Sequence, residues 1–270
     1  MPWSPSVVVA TYNAPWELDL VLTGLARQSV LPREIRIADD GSTEETRALL
    51  DRWRLRLPVP LHHHWQEDRG FGKSAIVNAT VAACDSDYLC FLDGDTIPHR
   101  HWLKDHLFHA RKRRVLCGRR VRLGPDITPR VRRDWVQSGE LEKWFGEVSR
   151  SGDARNYGRG LRLPFWIAFI LRLRGRKLMG CNFSLPRASF VKVNGYDEEF
   201  DEFGGEDYDL GLRLANAGFR MTPLINRGCA YHLYHPMKRT SEELRALRAK
   251  REAERRTWCE RGLDRHLAVE

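Results

Sequence analysis

The sequence lacks the cysteine spacings that build metal fingers or redox centres. Its six cysteines include no Cys-x-x-Cys pair, which argues against a zinc ribbon and against a dithiol oxidoreductase. The amino terminus runs almost directly into the apolar segment "SVVVA" (6–10), with no pattern typical of a signal peptide. We therefore expect reduced thiols in a cytoplasmic protein.

Long apolar runs are also missing. The longest, "LPFWIAFIL" (163–171), has nine residues, whereas a helix that spans a bilayer needs ~20. Six Arg or Lys and no acid lie from Arg159 to Lys177. Two interpretations stay open for this segment: an aromatic stretch lying on an anionic membrane surface, or a buried core segment whose arginines reach solvent.

Positive charge is concentrated in one part of the chain. The net charge is +9, and residues 100–133 hold twelve Lys or Arg with two acids. Such a patch suits a nucleic acid, an anionic membrane or an acidic substrate. No nucleic-acid-binding module or aromatic platform accompanies it, so we expect no nucleic-acid partner.

Buried strands alternate with amphipathic helices in the first hundred residues. The segments "SVVVA", "EIRIADD" (34–40) and "YLCFLD" (88–93) are typical of buried strands. Helices are predicted from Pro15, from Ser42 with Glu45 as a capping box, and over 73–84. This alternation predicts an α/β fold with a mostly parallel central sheet and helices on both faces.

Polar side chains follow three of the predicted strands, in "TYN" (11–13), "DDGS" (39–42) and "DGD" (93–95). Ligands of such sheets bind beyond the carboxyl ends of the strands. Asp93 and Asp95 flank one glycine, and two carboxylates that close repel each other unless a cation lies between them. A solvated turn is the alternative for this pair, but three polar strand ends together favour a shared site.

These motifs, taken in order, resemble the inverting glycosyltransferases of family two, which have the GT-A fold. "SVVVATYNAPWELDLVLTGLARQSVLPREIRIADDGSTEET" resembles their opening, "FLDGDTIP" their Asp-x-Asp motif, and "VNGYDEEFDEFGGEDYDLGLRLANAGFRM" their acceptor-side motif. "AYHLYHP" (230–236) is similar to the trailing histidine motif of the chondroitin-polymerase and β-1,4-galactosyltransferase-like branch. The resemblance covers about residues 5–236.

The resemblance implies a domain organisation and a reaction. Residues 1–237 would form one GT-A domain, with a nucleotide-sugar half (1–118) and an acceptor half (119–237), and 238–270 would be a charged, solvated helical extension. The implied reaction moves a sugar from a UDP-sugar to a hydroxyl of a glycan or lipid-linked glycan, in bacterial cell-surface polysaccharide or lipopolysaccharide synthesis. The protein would be cytoplasmic or peripheral on the inner face of the plasma membrane.

A divalent ion, Mn²⁺ in preference or Mg²⁺, would neutralise the diphosphate leaving group. The resemblance implies Asp95 as its direct ligand and His232 as the second, with His235 as a substitute. Asp93 would hold the ribose or a metal-bound water. The tract "HHH" (62–64) is a weaker metal candidate, because consecutive residues of a strand face opposite sides.

The resemblance also assigns the two substrates. The nucleotide would lie on Thr11, Tyr12, Asn13, Asp39, Asp40 and Lys73, with Asp40 accepting the uracil N3 proton. Lys73 could equally be a solvated loop residue.

On the acceptor side, Asp207 would be the catalytic base. Glu206 would hold acceptor hydroxyls, Gly205 would let the sugar approach the backbone, and Phe203 would stack on the sugar. Without the resemblance, Glu206 and Asp207 would be explained as acids that stabilise a helix amino terminus.

Two other functions are weaker. Nucleotidyl transfer onto a sugar phosphate normally requires a glycine-rich loop after the first strand, and "TYNAPWE" contains no glycine. A transferase acting on a small molecule or a peptide remains an alternative to the glycan acceptor. The non-enzymatic alternative is a basic protein that binds nucleic acid or a membrane surface.

Overall fold

The structure, a computed structural model, describes residues 3–164, 167, 178–236 and 241–267. Its strands are β1 (Pro5–Thr11), β2 (Glu34–Asp39), β3 (Leu61–Trp65), β4 (Tyr88–Asp93), β5 (Thr96–Pro98), β6 (Arg114–Cys117), β7 (Arg120–Leu123), β8 (Ala154–Arg155), β9 (Asn182–Pro186), β10 (Arg220–Pro223) and β11 (Ala230–His232). Its helices are α1 (Pro15–Ala26), α2 (Glu44–Arg54), α3 (Lys73–Ala82), α4 (Trp102–His109), α5 (Arg133–Ser138), α6 (Glu147–Arg150), α7 (Arg187–Lys192), α8 (Glu206–Asn216) and α9 (Glu242–Glu254).

The main sheet has the strand order β10-β6-β9-β4-β1-β2-β3. The pairs β4–β1, β1–β2, β2–β3 and β6–β10 are parallel, and only β9 runs antiparallel to its neighbours. The predicted α/β fold with a mostly parallel sheet is confirmed. Because β1, β2 and β4 are parallel neighbours, their polar carboxyl ends lie at the same edge.

Both faces of the sheet are buried. Val7 and Val9 of β1 pack into a core with α1, α2 and α4, while Val8 packs into a second core with α3, α7 and α8. Successive side chains of a strand point to opposite faces, so a continuous apolar run is what a sheet covered on both sides requires.

A second, smaller sheet with the order β5-β11-β7-β8 brings distant segments to the DGD turn. β11 pairs antiparallel with β5, with His232 opposite Thr96, and the Leu233 N–H donates to the carbonyl of Asp95 at 3.0 Å. This pairing places the trailing histidine motif beside the second aspartate of the turn, across more than 130 residues of sequence.

The predicted Ser42–Glu45 capping box is wrong. Thr43 precedes the first turn of α2, and no side chain caps it. The Ser42 hydroxyl instead accepts from the Asn13 N–H at 2.8 Å, and the Ser42 N–H donates to Asp39 Oδ1 at 2.9 Å. Ser42 is therefore committed to the turn that joins the ends of β1 and β2.

The carboxyl-terminal segment is only partly the solvated helix that was expected. α9 is mostly exposed, but the chain after it folds back onto the domain and buries Cys259 and Leu263. Asn194 Nδ2 donates to the Cys259 carbonyl at 2.8 Å, and the Glu198 N–H donates to the Arg261 carbonyl at 2.8 Å. The segment thus covers the loop that leads to α8.

All six cysteines are buried and free. Among the described residues, no helix has the length and apolar character to cross a bilayer. The apolar segment 163–171 and its basic flank, for which two interpretations were open, lie largely outside the described residues.

Candidate active site

The DGD turn follows β4 at the carboxyl edge of the sheet. The Gly94 N–H donates to the Ala10 carbonyl at 2.7 Å, and a Cβ at Gly94 would lie 2.9 Å from Thr11 Oγ1. A side chain at this position would therefore push β4 away from β1, and glycine is the residue that fits. The two aspartates of the turn have different neighbours: Asp93 contacts Lys73, and Asp95 contacts His232 and His235.

Asp95 faces the two histidines of the trailing motif. Its Oδ2 lies 3.4 Å from His232 Nε2 and 3.4 Å from His235 Nε2, and one ligand atom from each of the three lies within 4.8 Å of the others. Burial, with the nearby Asp93 charge, raises the pKa of Asp95 to about 6. Burial and the Arg120 cation lower the pKa of His232 to about 3, which keeps the imidazole neutral and able to ligate a metal.

These three side chains fit a divalent ion. The two carboxylate–imidazole distances of 3.4 Å, with all three ligand atoms within 4.8 Å of one another, would allow one ion to contact all three side chains. One carboxylate and two imidazoles suit Mn²⁺, whereas Mg²⁺ prefers oxygen ligands. The structure brings both candidate histidines to Asp95 rather than one in place of the other.

The "HHH" tract forms no such cluster. His62 Nε2 lies 3.3 Å from Glu34, His63 Nε2 lies 2.8 Å from Asp39, and His64 contacts Arg36. Consecutive β3 residues take different partners, as the alternation of a strand requires.

Lys73 lies among three carboxylates and is not a solvated loop residue. It is the first residue of α3, and its Nζ is 3.0 Å from Asp93 Oδ1, 3.5 Å from Glu206 Oε1 and 4.0 Å from Asp207 Oδ2. The Lys73 ammonium therefore links the turn after β4 to the start of α8. This position between the donor-side and acceptor-side motifs could not be read from the sequence.

Asp207 has the environment of a proton acceptor. Burial, opposed by the Lys73 charge, raises its pKa to about 7. The Tyr196 hydroxyl donates to Asp207 Oδ1 at 2.9 Å, and a Cβ at Gly180 would clash with the carboxylate. Tyr196 and Gly180 were not predicted, although Tyr196 lies inside the acceptor-side motif, in "NGYD".

The expected nucleotide residues line the neighbouring strand ends. Asp39 is fully buried, with one oxygen on the Ser42 N–H and the other on His63. Asp40 keeps 7% exposure and accepts from Gln66 Nε2 at 2.6 Å and the Gly72 N–H at 2.8 Å. Of the two carboxylates, only Asp40 can still be approached by a ligand.

The remaining three nucleotide residues differ in accessibility. Tyr12 is 50% exposed, and its hydroxyl donates to Asp68 Oδ2 at 2.8 Å. The Thr11 hydroxyl is buried without a partner in the described part of the chain. Asn13 accepts from the Thr43 N–H at 2.9 Å, so it braces the loop. Asp68 was not singled out in the sequence.

Two expectations for the acceptor side need correction. The space above Gly205 is filled by Phe200 and Leu244, so this glycine allows close packing at the start of α8 and leaves no room for a sugar. Glu206 is 1% exposed, and its Oε2 accepts from the Gly204 N–H at 3.0 Å. As placed, its carboxylate faces Lys73 and the backbone, not an acceptor.

Two aromatic rings come from the loops that precede Lys73 and Glu206. Phe203 is 43% exposed and meets Phe71 edge-to-face, with 6.3 Å between ring centroids. Phe71 comes from the loop before α3 and was not predicted, because its loop and that of Phe203 are far apart in sequence. The pair offers apolar ring surface of the kind on which sugars stack.

A family model described as glycosyl transferase family 2 matches residues 6–172. The chain belongs to this family. A second model, described as the N-terminal domain of galactosyltransferase, matches residues 167–236, which contain Glu206, Asp207 and both histidines. The resemblance inferred from the four motifs is confirmed.

Curated relatives include the validoxylamine A glucosyltransferase of Streptomyces hygroscopicus subsp. limoneus, 32% identical over 88% of this chain and 52% of that protein. The chondroitin synthase of Pasteurella multocida (strain Pm70) is 26% identical over 89% of this chain and 26% of that protein. The chain thus spans about half the length of the first of these relatives and a quarter of the second.

Solved structures with the same fold include S. aureus TarS (1–349) in complex with UDP, with a TM-score of 0.63 and 18% identity over 93% of this chain and 65% of that chain. GalNAc-T7 with UDP, GalNAc and Mn²⁺ has a TM-score of 0.65 and 15% identity over 91% of this chain and 47% of that chain. At these identities the likeness supports the GT-A fold alone.

Proposed function

We propose that this chain is an inverting, metal-dependent glycosyltransferase that moves a sugar from a UDP-sugar to an acceptor hydroxyl. The observation that carries the proposal is the joining of two groups by Lys73: the DGD turn with its histidines, and the Asp207 carboxylate at the start of α8. One can hold a diphosphate through a cation, and the other can take a proton.

The reaction is a single displacement at C1 of the donor sugar. The acceptor oxygen forms a bond to C1 while the bond from C1 to the β-phosphate oxygen breaks, and that electron pair leaves with UDP. Asp207 accepts the acceptor proton, and its pKa of about 7 matches proton transfer near neutral pH. Attack from the face opposite the leaving group inverts the configuration, as in inverting glycosidases.

Asp95, His232 and His235 would hold the divalent ion, Mn²⁺ or Mg²⁺, which supplies Lewis-acid neutralisation of the diphosphate. Lys73 keeps Asp93, Glu206 and Asp207 together by its charge. Tyr12 and Asp40 would bind the base, and Phe203 with Phe71 would stack on the acceptor.

Two acceptor classes have support. A glycan, including a lipid-linked one in bacterial polysaccharide or lipopolysaccharide synthesis, fits the chondroitin synthase relative. A small molecule fits the validoxylamine A glucosyltransferase relative. Both proposals use the same donor half and differ only in the acceptor.

Fewer cations of the basic patch, residues 100–133, are exposed in the structure than the sequence contains. Arg133 pairs with Asp19, Arg119 is buried and Arg120 is half-buried. Lys104 and residues 111–113 are among the exposed cations. We propose that these exposed cations bind the protein to the anionic inner face of the plasma membrane. The test is association with vesicles of anionic lipid. If the protein does not bind these vesicles at low ionic strength, the membrane proposal is contradicted.

The test of the reaction is UDP release from a panel of UDP-sugars, with Mn²⁺ and with chelator. Release from one donor that needs metal and is lost in Asp95→Ala would support the proposal and identify the sugar. Adding oligosaccharides or cyclitols then separates the two acceptor classes by the product formed. GDP-, CMP- and dTDP-sugars complete the panel, and release from one of those alone would contradict the UDP assignment.

A further inference from the structure

Arg120 has hydrogen-bonding capacity that the described chain does not use. Its Nη1 donates to the thiol sulfur of Cys181 at 2.7 Å, and its Nε has no partner among the described residues. A guanidinium carries five N–H donors, and sulfur is a weak acceptor. Buried polar groups without partners are rare, so the Arg120 guanidinium has donors available for an anionic ligand.

Cys181 does not neutralise this cation. Burial raises the pKa of the Cys181 thiol to about 12, so the sulfur is uncharged at neutral pH. No carboxylate lies within ion-pairing distance of Arg120 in the part of the chain that the structure describes. In the described part of the chain, the negative charges that balance Arg120 therefore lie beyond ion-pairing distance.

Those groups are the two aspartates of the DGD turn. Arg120 is the first residue of β7, paired in register with Ala230 of β11, and its charge acts on Asp93, Asp95 and His232. A cation is thus held on the side of the cluster where the metal ligands are. Its position beside the metal-ligand cluster suits the leaving group.

We propose that Arg120 binds the diphosphate of the donor, beside the three side chains that would hold the divalent ion, Asp95, His232 and His235. This inference rests on the proposed function and adds a residue that none of the motifs contains. The C1–O bond breaks towards the β-phosphate, whose negative charge grows as the electron pair arrives, and a fixed guanidinium stabilises that charge through paired N–H donors. It also gives a specific role to one cation of the basic patch, residues 100–133.

The experiment measures binding of uridine, UMP and UDP by calorimetry, each with Mn²⁺, to the wild type and to Arg120→Gln. The variant should lose roughly 10- to 100-fold in UDP affinity, the range expected for hydrogen bonds to a charged group. Uridine affinity should stay within about twofold, because uridine has no phosphate. Arg120→Lys should recover part of the UDP affinity, since it restores a point charge without the fork of donors.

Arg56→Ala is the matched control for the loss of one positive charge. Arg56 is exposed in the loop between α2 and β3, at the edge of the sheet opposite the DGD turn, so UDP affinity should not change. Unchanged UDP affinity in Arg120→Gln would overturn the inference while leaving the proposed function intact. Parallel losses for uridine and UDP would overturn it as general damage, and a wild type that binds no nucleoside diphosphate would contradict the proposed function itself.

Discussion

Replacing Lys73 with methionine removes the cation that links the donor and acceptor sides, and it should move the pH dependence of the reaction. The Lys73 ammonium lies 4.0 Å from Asp207 Oδ2 and lowers the pKa of a carboxyl that burial raises to about 7. Without the cation, the ionised form of Asp207 loses its positively charged partner, so the pKa of Asp207 should rise.

The size of the effect follows from Coulomb's law. Two unit charges at about 4 Å interact by about 4 kcal/mol at an effective dielectric constant of 20, which corresponds to about three pKa units. Both side chains keep some exposure, and relaxation reduces the effect, so a rise of roughly one to three units is expected. A base must be ionised to act, and kcat/KM at pH 7 should therefore fall roughly 5- to 500-fold.

The assay is UDP formation from donor and acceptor between pH 5.5 and 10, analysed as kcat/KM, which reports the free enzyme. The wild type should lose activity as the pH falls through about 7, and the midpoint in Lys73→Met should lie at higher pH. Lys73→Arg keeps the charge and should keep the midpoint near that of the wild type. Lys250→Met, on the exposed side of α9, controls for the loss of a lysine elsewhere.

A midpoint that stays in place in Lys73→Met, with only the rate reduced at every pH, would refute the electrostatic reasoning. Lys73 would then act on the nucleotide alone. A midpoint that moves to lower pH would refute the assignment of the acidic limb to Asp207, because removing a cation cannot favour ionisation of a carboxyl.

The other predictions concern single contacts. Asp207→Asn should slow transfer roughly 10²- to 10⁴-fold yet keep Mn²⁺-dependent UDP binding, since Asp207 is outside the metal cluster; loss of both would contradict its role as base. His235→Ala should weaken Mn²⁺ binding at least roughly tenfold, measured by paramagnetic resonance titration without nucleotide. His62→Ala, on the exposed side of β3, should leave Mn²⁺ affinity unchanged. Equal affinities in the two variants would contradict a ligand role for His235. Gly205→Ala should lower the free energy of unfolding in denaturant titrations by roughly 1–3 kcal/mol, because the added Cβ clashes with core side chains. Gly158 has open space around it, so Gly158→Ala should change the free energy of unfolding by less than ~0.5 kcal/mol. Similar losses in both variants would contradict the packing argument.

Part of the site follows from local sequence rules. β1, β2 and β4 are continuous apolar runs followed by polar residues, and parallel strands between helices must bring those ends to one edge. Asp93 and Asp95 could be placed there from the order of elements alone. Asp207 could be placed in the first turn of a helix, because α8 shows its apolar spacing and its terminal Gly218, which has a φ of +79°.

The sequence by itself determined the fold class, the family and the edge of the sheet at which the chemistry lies, because these depend on periodicity and on motifs within short segments. Only the tertiary structure decided that both His232 and His235 reach Asp95, that Lys73 lies among three carboxylates, and that Gly205 serves packing. Each of these is a contact between segments far apart in the chain. Such contacts depend on how sheets and helices pack, and no local pattern of residue types records that.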